Sequence, residues 1–206
     1  MGYSTSSIIS TGNLDLDTYL TVLPLGLKQH LIRARSKAIE LAKMHSLDSE
    51  KAGFAALCHD IVRHVNVDDL HKQAINYGLK IHPVEELHRI LLHGPVGAEL
   101  LHEKFNVYDP EILEAIRWHS TFNRGLGSTA KLVFLADKLD PNKASRFSDL
   151  EGKNLLAKTD LDGAILSFLE EDITAMLSSK HLVHPAAIEA RDWLLGVRGK
   201  RASDSA

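Results

Sequence analysis

Several histidines and aspartates of this chain lie where a helix would turn them toward its apolar side. His119 follows apolar residues three, four and seven positions earlier, which places its imidazole in the middle of an apolar stripe. The same spacing precedes His59 and Asp137, and a similar stripe follows His30. Burying a carboxylate there costs on the order of several kcal/mol unless a partner compensates its charge. We expect a divalent metal ion to be that partner.

The adjacent pair His59 and Asp60 favours a site with two ions rather than one. Neighbouring side chains on a helix point about 100° apart, so they cannot chelate a single ion as histidines four residues apart do. A carboxylate has two oxygens, so Asp60 can bridge two ions while His59 binds one of them. Neutral imidazole and ionised carboxylate suit borderline or hard divalent metals. Taken alone, His30 or His119 would more often be a core histidine, and we interpret Cys58 as a core residue.

These side chains must be positioned by helices, because helical periodicity dominates the sequence. No segment alternates cleanly between apolar and polar residues over six positions, so the predicted fold class is all-α. Asp48 and Ser128 are predicted N-caps, and Asp109 followed by Pro110 is typical of a helix start. The predicted helices span residues 25–44, 49–65, 67–77, 83–92, 94–104, 110–119, 129–139, 161–179 and 185–196.

Composition narrows the class of protein. The chain has 206 residues, of which 44% are hydrophobic and 25% charged, as in a globular domain. Its formal charge of −3 gives no basic field to attract nucleic acid. Cys58 is the one cysteine, which favours a reducing compartment, and no apolar run approaches the roughly 20 residues that span a membrane. We therefore expect a cytoplasmic protein without a membrane or nucleic-acid partner.

The expected organisation is a single domain with polar ends. Residues 1–20 are interpreted as a flexible arm and residues 21–150 as the main helical domain. Residues 151–197 are expected to form a C-terminal helical extension packed on the same core. The polar segment 198–206 is expected to be a flexible tail.

Three short segments carry a family pattern in addition to this chemistry. Leu91–Ala98 reads LLHGPVGA, Ala115–Thr121 reads AIRWHST and Phe134–Pro141 reads FLADKLDP. With the order His, His-Asp, Asp, these segments resemble the HD-domain metal-dependent phosphohydrolases. More narrowly, they resemble the YqeK-type symmetrical bis(5'-nucleosyl)-tetraphosphatases, which hydrolyse diadenosine tetraphosphate. The resemblance covers roughly residues 25–150 and implies an HD-domain helical bundle, here with additional C-terminal helices.

The resemblance implies a centre with two divalent metal ions that share Asp60. The family is associated with iron, and ligation by nitrogen and oxygen is also compatible with manganese or cobalt. The ligands implied for the first ion are His30, His59, Asp60 and Asp137, and those implied for the second are Asp60, His93 and His119.

The implied reaction is symmetrical hydrolysis of a dinucleoside polyphosphate to two molecules of ADP, by a hydroxide that the two metals activate. Asp60 and Arg63 are the predicted catalytic residues. A tetraphosphate carries about four negative charges, so nearby cations and hydroxyls are candidates for binding it. These predicted substrate-binding residues are Arg63, Ser120, Thr121, Lys131, Lys138 and Lys143. For the lysines, a solvated surface position is the alternative interpretation, and a homodimer is compatible with the sequence.

The chain departs from the family pattern at a few positions. Phe122 and Asn123 stand where the family has glycine and arginine, and Asp140 begins an Asp-Pro-Asn-Lys segment where the family has Glu-Pro-Gly-Arg. Arg63 replaces a lysine. Two other functions therefore stay open at this point. One is hydrolysis of a different nucleotide phosphoester, and the other is a non-catalytic nucleotide sensor or partner-binding module.

Overall fold

The computed structural model describes residues 10–203, with side chains to residue 199, and the regular secondary structure of this part is helical. Its α-helices are α1 (Leu14–Thr21), α2 (Leu25–Met44), α3 (Ser49–Cys58), α4 (Val67–Asn76), α5 (Pro83–Leu87), α6 (His93–Phe105), α7 (Pro110–Trp118), α8 (Ser128–Lys138), α9 (Leu150–Ala157), α10 (Leu161–Ser178) and α11 (Pro185–Ser203). Short 3₁₀ turns cover Arg89–Leu92 and Pro141–Lys143. Residues 10–203 contain no strand, so the all-α prediction is confirmed.

Polar residues directly before the helices explain where several of them begin. The Asp48 carboxylate accepts hydrogen bonds from the first backbone amides of α3, and Asp109 does the same for α7. Such a cap contributes about 1 kcal/mol to helix stability. The prediction of Ser128 as an N-cap was wrong. Gly127 occupies the cap position of α8 without a side-chain hydrogen bond, and Ser128 is already the first helical residue.

Helix α3 is shorter than predicted, and this difference shapes the site. The helix ends at Cys58 rather than near Val65, and tight turns follow it. Hydrogen bonds from residues 61, 63 and 65 reach only three residues back, to the carbonyls of residues 58, 60 and 62. Ile61 and Val62 are nevertheless buried, so the apolar periodicity of the sequence continues through the turns. Cys58 itself is fully buried, as expected of a core residue.

The ends of the chain are more helical than expected. Helix α1 lies within the predicted arm, and its Leu16 and Leu20 are buried in the core. Helix α11 continues through Ser203 into the predicted tail, and α9 lies at the start of the predicted C-terminal helical extension, although it was not among the predicted helix spans. Helices α1 and α9 have eight residues each, too few to establish a clear periodicity. Residues 1–9 and 204–206 of the expected arm and tail lie outside the described part.

The helices pack so that the elements carrying the candidate ligands contact one another. Helix α2 lies against α3, and α8 packs on both of them. Helix α7 contacts α3, α6 and α8, while α10 packs against α8, α9 and α11. Leu31, Leu41 and Phe134 are among the large side chains fully buried between these layers. Within residues 10–203, no helix is both long enough and apolar enough to cross a membrane.

Candidate metal centre

The six predicted ligands come from five separate helices, and four of them stand at helix ends. His30 lies within α2 and Asp137 lies near the end of α8. His59 and Asp60 directly follow α3, His119 directly follows α7, and His93 is the first residue of α6. Packing of these helices brings all six side chains to one place. They form a first ligand group (His30, His59, Asp60 and Asp137) and a second ligand group (Asp60, His93 and His119).

The four imidazoles share one hydrogen-bonding pattern, in which Nδ1 faces an oxygen that can only accept. The acceptors are an Asp140 carboxylate oxygen for His30 and the backbone carbonyls of Ala56 for His59, Ile90 for His93 and Ile116 for His119. If Nε2 binds a metal ion, the proton of each neutral ring sits on Nδ1, where these oxygens accept it. In that tautomer, all four histidines would turn the lone pair of Nε2 toward the centre.

These lone pairs face each other at short range. The Nε2 atoms of His30 and His59 are 3.1 Å apart, and those of His93 and His119 are 2.9 Å apart. Burial lowers the pKa of His119 to about 4, so its ring is neutral at pH 7. Two neutral rings with their protons on Nδ1 cannot hydrogen bond to each other through Nε2. A cation bound between them would satisfy both, so the donor set fits a divalent metal ion.

Asp60 connects the two ligand groups through different oxygens. Its Oδ2 lies 3.8 Å from His30 Nε2 and 3.6 Å from His59 Nε2. Its Oδ1 lies 3.0 Å from His93 Nε2 and 3.2 Å from His119 Nε2. This buried Oδ1 has no hydrogen-bond donor among residues 10–203. Donors that bind one ion at about 2.1 Å and at right angles lie about 3 Å apart, so the Oδ1 spacings suit an ion shared with His93 and His119, while Oδ2 faces the first ligand group at longer range.

Close approach between α6 and the end of α7 requires a glycine at position 94. A Cβ atom added to Gly94 would lie 2.6 Å from the carbonyl oxygen of Arg117 and 3.0 Å from that of Ile116. Backbone atoms cannot give way as the end of a flexible side chain can. Gly94 therefore allows the start of α6 to rest on the end of α7, which brings His93 and His119 together.

Two lysines keep Asp137 ionised despite its burial. Burial alone would raise the pKa of this carboxyl, but the charges of Lys138 and Lys143 hold the pKa well below its usual range. The Lys143 ammonium contacts Asp137 Oδ1, the oxygen that lies 3.1 Å from His30 Nε2. Lys138 Nζ lies 3.5 Å from the other oxygen. Positive charge therefore stands directly beside the first ligand group.

A cleft of about 590 Å³ opens over the two ligand groups, and most of the predicted substrate-binding residues line it. Ser120 Oγ lies 3.2 Å from the Nε2 atoms of both His93 and His119, in the middle of the second ligand group. The predicted residues that line the cleft are Arg63, Ser120, Thr121, Lys138 and Lys143.

Lys131 is the exception, and its assignment to the site requires correction. It does not line the cleft, and its ammonium pairs with Asp162 of α10 at 2.5 Å. Lys131 precedes Asp137 by six residues, which places it about 240° around α8 from the ligand. Proximity in sequence was therefore a poor guide to proximity in space for this lysine.

The cleft also contains residues that the sequence interpretation did not include. Helix α10, the segment that follows it and the start of α11 contribute an apolar wall to the cleft, and Arg146 and Asp172 also line it as an ion pair of 2.9 Å. The residues of the apolar wall are Leu169, Ile173, Met176, Val183 and Ala187. The spacing of the first three predicts a shared helix face. It does not predict what that face covers.

Phe122, where the related family has glycine, keeps a backbone conformation that favours glycine. Its φ is +58°, in the left-handed region, which costs about 1–2 kcal/mol for a residue with a side chain. Its ring is fully buried and packs 5.1 Å from the ring of Phe134, a burial that contributes about 1.5–3 kcal/mol. Burial offsets the strain. Because the ring points into the core and does not line the cleft, this departure leaves the lining unchanged.

Comparison with known proteins relates the chain to one family. The model of the HD domain matches residues 27–142, a range that includes all six candidate ligands. The chain is 34% identical to a symmetrical bis(5'-nucleosyl)-tetraphosphatase of Halalkalibacterium halodurans, over 81% of this chain and 88% of that protein. It is 29% identical to the enzyme of the same name from Bacillus subtilis, with the same coverage of both chains.

A solved structure is similar over nearly the whole fold. It is a protein of Clostridium acetobutylicum described as a predicted HD superfamily hydrolase involved in NAD metabolism. The two chains are 25% identical and superpose with a TM-score of 0.83, over 95% of this chain and 99% of the other. The similarity therefore extends beyond the matched domain to the helices that complete the cleft.

Proposed function

The chain belongs to the HD domain family, and on that premise we propose that it hydrolyses diadenosine tetraphosphate and related dinucleoside polyphosphates symmetrically, releasing two ADP. One observation carries the proposal. The two oxygens of Asp60 face two separate groups of metal-binding side chains at the floor of a cleft. The names of the two bacterial relatives support the choice of substrate.

The two ligand groups would hold one divalent ion each, with iron as the proposed metal and manganese or cobalt as substitutes. Bound there, the ions would supply an activated water and would neutralise charge on the phosphates. The chain contributes the arrangement. Asp60 fixes the two groups relative to each other, and the Nδ1 hydrogen bonds hold each imidazole in the orientation and tautomer that ligation requires.

The remaining cleft residues bind and orient the tetraphosphate. Lys143 and Arg63 carry positive charge on the cleft wall, and the Ser120 hydroxyl can donate to a phosphate oxygen. Water adds to phosphorus, the bond from that phosphorus to the departing ADP oxygen breaks, and the proton of water passes to solvent. ADP is a stable leaving group, so this step requires no protonated carboxyl. The absence of such a requirement agrees with the site, because Asp60 and Asp137 belong to the ligand groups and neither is free to act as a proton donor.

The products show which phosphoanhydride bond of the substrate is cleaved. Purified protein supplied with iron or manganese should convert diadenosine tetraphosphate into ADP alone, as measured by anion-exchange chromatography. A sample pretreated with chelator is the control and should release no nucleotide. Equal amounts of ATP and AMP would refute symmetrical cleavage. Rapid hydrolysis of a nucleotide monophosphate without action on the tetraphosphate would favour a different HD-type phosphohydrolase, and tight binding of the tetraphosphate without any turnover would favour a sensor.

Metal content tests the second part of the proposal. Protein purified without chelator should contain close to two metal ions per chain by elemental analysis. The His93→Ala and His119→Ala variants should each lose mainly one ion, because they disable only the second ligand group. At most one tightly bound ion in the unmodified protein would contradict a two-metal centre. Chelation should stop turnover while helical circular dichroism persists, whereas unfolding on chelation would indicate a structural metal.

A further inference from the structure

A buried carboxylate stands behind His30, on the side away from the ligand groups. Asp140 is 3% exposed, and its Oδ2 accepts the Nδ1–H of His30 at 2.5 Å. Arg33 donates to the same carboxylate from Nε and from Nη2, at distances between 2.9 and 3.2 Å. Because Arg33 lies three residues after His30 on α2, the arginine and the histidine reach Asp140 from the same helix.

The imidazole of His30 therefore lies between the carboxylates of Asp137 and Asp140. Its Nε2 lies 3.1 Å from Asp137 Oδ1 in the first ligand group, and its Nδ1 contacts Asp140. Asp137 and Asp140 are separated by a single turn of chain at the end of α8. This geometry fixes the direction in which the ring points, and once Nε2 binds a metal ion the proton is left on Nδ1, facing Asp140.

His30 differs in this respect from the other three histidines. His59, His93 and His119 donate Nδ1–H to backbone carbonyls, which no side-chain substitution removes. Among the four imidazoles, only His30 has a side chain as the partner of its Nδ1. An ionised carboxylate is also a stronger acceptor than a carbonyl and makes the imidazole a more basic ligand.

We propose that Asp140, held in place by Arg33, is a positioning residue that sets the metal affinity of the first ligand group through His30. The proposal rests on the proposed metal-dependent function. Loss of a carboxylate partner of this kind typically weakens metal binding by about 10- to 100-fold. Asp140 also accepts a hydrogen bond from the Asn142 amide at 2.9 Å and so caps the turn Pro141–Lys143. A test must separate the effect through His30 from this capping role.

The test uses Mn²⁺ titration of metal-free full-length protein in a His119→Ala background, where the second ligand group is disabled and a single Kd describes the first. Adding Asp140→Asn should raise this Kd about 10- to 100-fold. In a background that also lacks the His30 imidazole (His30→Ala), Asp140→Asn should change the Kd by no more than about twofold, because the two effects share one route. Additive losses in that background would assign Asp140 to capping alone.

Asp160 provides a matched control. Its carboxylate caps α10 by accepting from the Gly163 amide and contacts Arg198, so it shares the capping role and the arginine contact of Asp140, but it is more exposed and does not hydrogen bond to His30. Asp160→Asn should leave the Mn²⁺ Kd unchanged. Nitrogen chemical shifts of the His30 ring in metal-free protein give a readout without metal or activity. They should report a larger share of the Nδ1–H tautomer in the parent than in Asp140→Asn, because the substitution removes the charged acceptor at Nδ1.

Failure of this inference is distinguishable from failure of the proposed function. If the unmodified protein binds no Mn²⁺, the metal centre itself is refuted. If the His119→Ala protein binds Mn²⁺ and the same protein with Asp140→Asn added binds it equally well, only the positioning role is overturned. Should Asp140→Asn fail to fold, Arg33→Gln keeps the carboxylate but removes its anchor. That variant should raise the Kd severalfold, and an unchanged Kd would overturn the proposal.

Discussion

Replacing Asp60 by asparagine should lower kcat/KM for diadenosine tetraphosphate by at least about a thousandfold, or about 4 kcal/mol of transition-state stabilisation. The reason is that one side chain serves both ligand groups. Oδ1 lies about as close to His93 and His119 as donors on a common ion do, and Oδ2 faces the first group. Asparagine retains one oxygen but loses the charge and the second oxygen. Elemental analysis should therefore show metal lost from both groups rather than from one.

Asp162 is the matched control for this substitution. It is a buried aspartate of α10 that pairs with Lys131 and does not line the cleft. Asp162→Asn makes the same chemical change in a similarly buried setting and should keep both metal ions and the activity per folded molecule. If Asp60→Asn instead retains one ion at full occupancy, Asp60 is a ligand of a single metal and the shared-carboxylate arrangement is wrong.

Four of the six ligand positions could be anticipated from apolar stripes, whereas Asp60 was inferred from its adjacency to His59 and the ligand role of His93 was implied by the family resemblance. His119 and Asp137 follow apolar residues at helical spacing, and both prove to be buried. Their mutual distances could not be anticipated. His59 and Asp60 looked like neighbours on a continuous helix, since Ile61 and Val62 maintain the apolar period. In fact the helix ends at Cys58, and the tight turn lets both side chains face the same centre.

Contacts between residues far apart in sequence could not be predicted either, because they depend on how the helices pack. Nothing in the local pattern places Asp140 against His30, which lies 110 residues earlier in the chain. The apolar side of α10 is visible as a pattern, but its place in the wall of the cleft depends on how α10 packs against α8. The role of Gly94 could not be predicted from the sequence either. It follows from the position of the Arg117 carbonyl oxygen, which would lie 2.6 Å from a Cβ atom at residue 94.

Among the cations that line the cleft, we expect Arg63 to have the largest effect on turnover. Lys143 and Lys138 both stand beside Asp137, so part of their charge is offset within the protein. Arg63 is exposed on the cleft wall, and its side chain forms no ion pair with any residue between 10 and 203. It follows Asp60 in the tight turn, with its amide 2.9 Å from the Asp60 carbonyl. Its guanidinium is therefore the cleft cation whose charge is available to substrate.

Arg63→Ala should lower kcat by about a hundredfold while metal content stays near that of the unmodified protein, because a cation that contacts phosphate contributes most as charge develops in the transition state. Arg63→Lys should recover part of the loss, since an ammonium supplies the charge but not the two-pronged hydrogen bonds of a guanidinium. Lys131→Ala is the control, because it removes a cation paired with Asp162 outside the cleft and should leave kcat unchanged. Steady-state kinetics with saturating Mn²⁺ measures all three. Unchanged kinetics for Arg63→Ala would make this residue a solvated surface cation and leave charge neutralisation to Lys143.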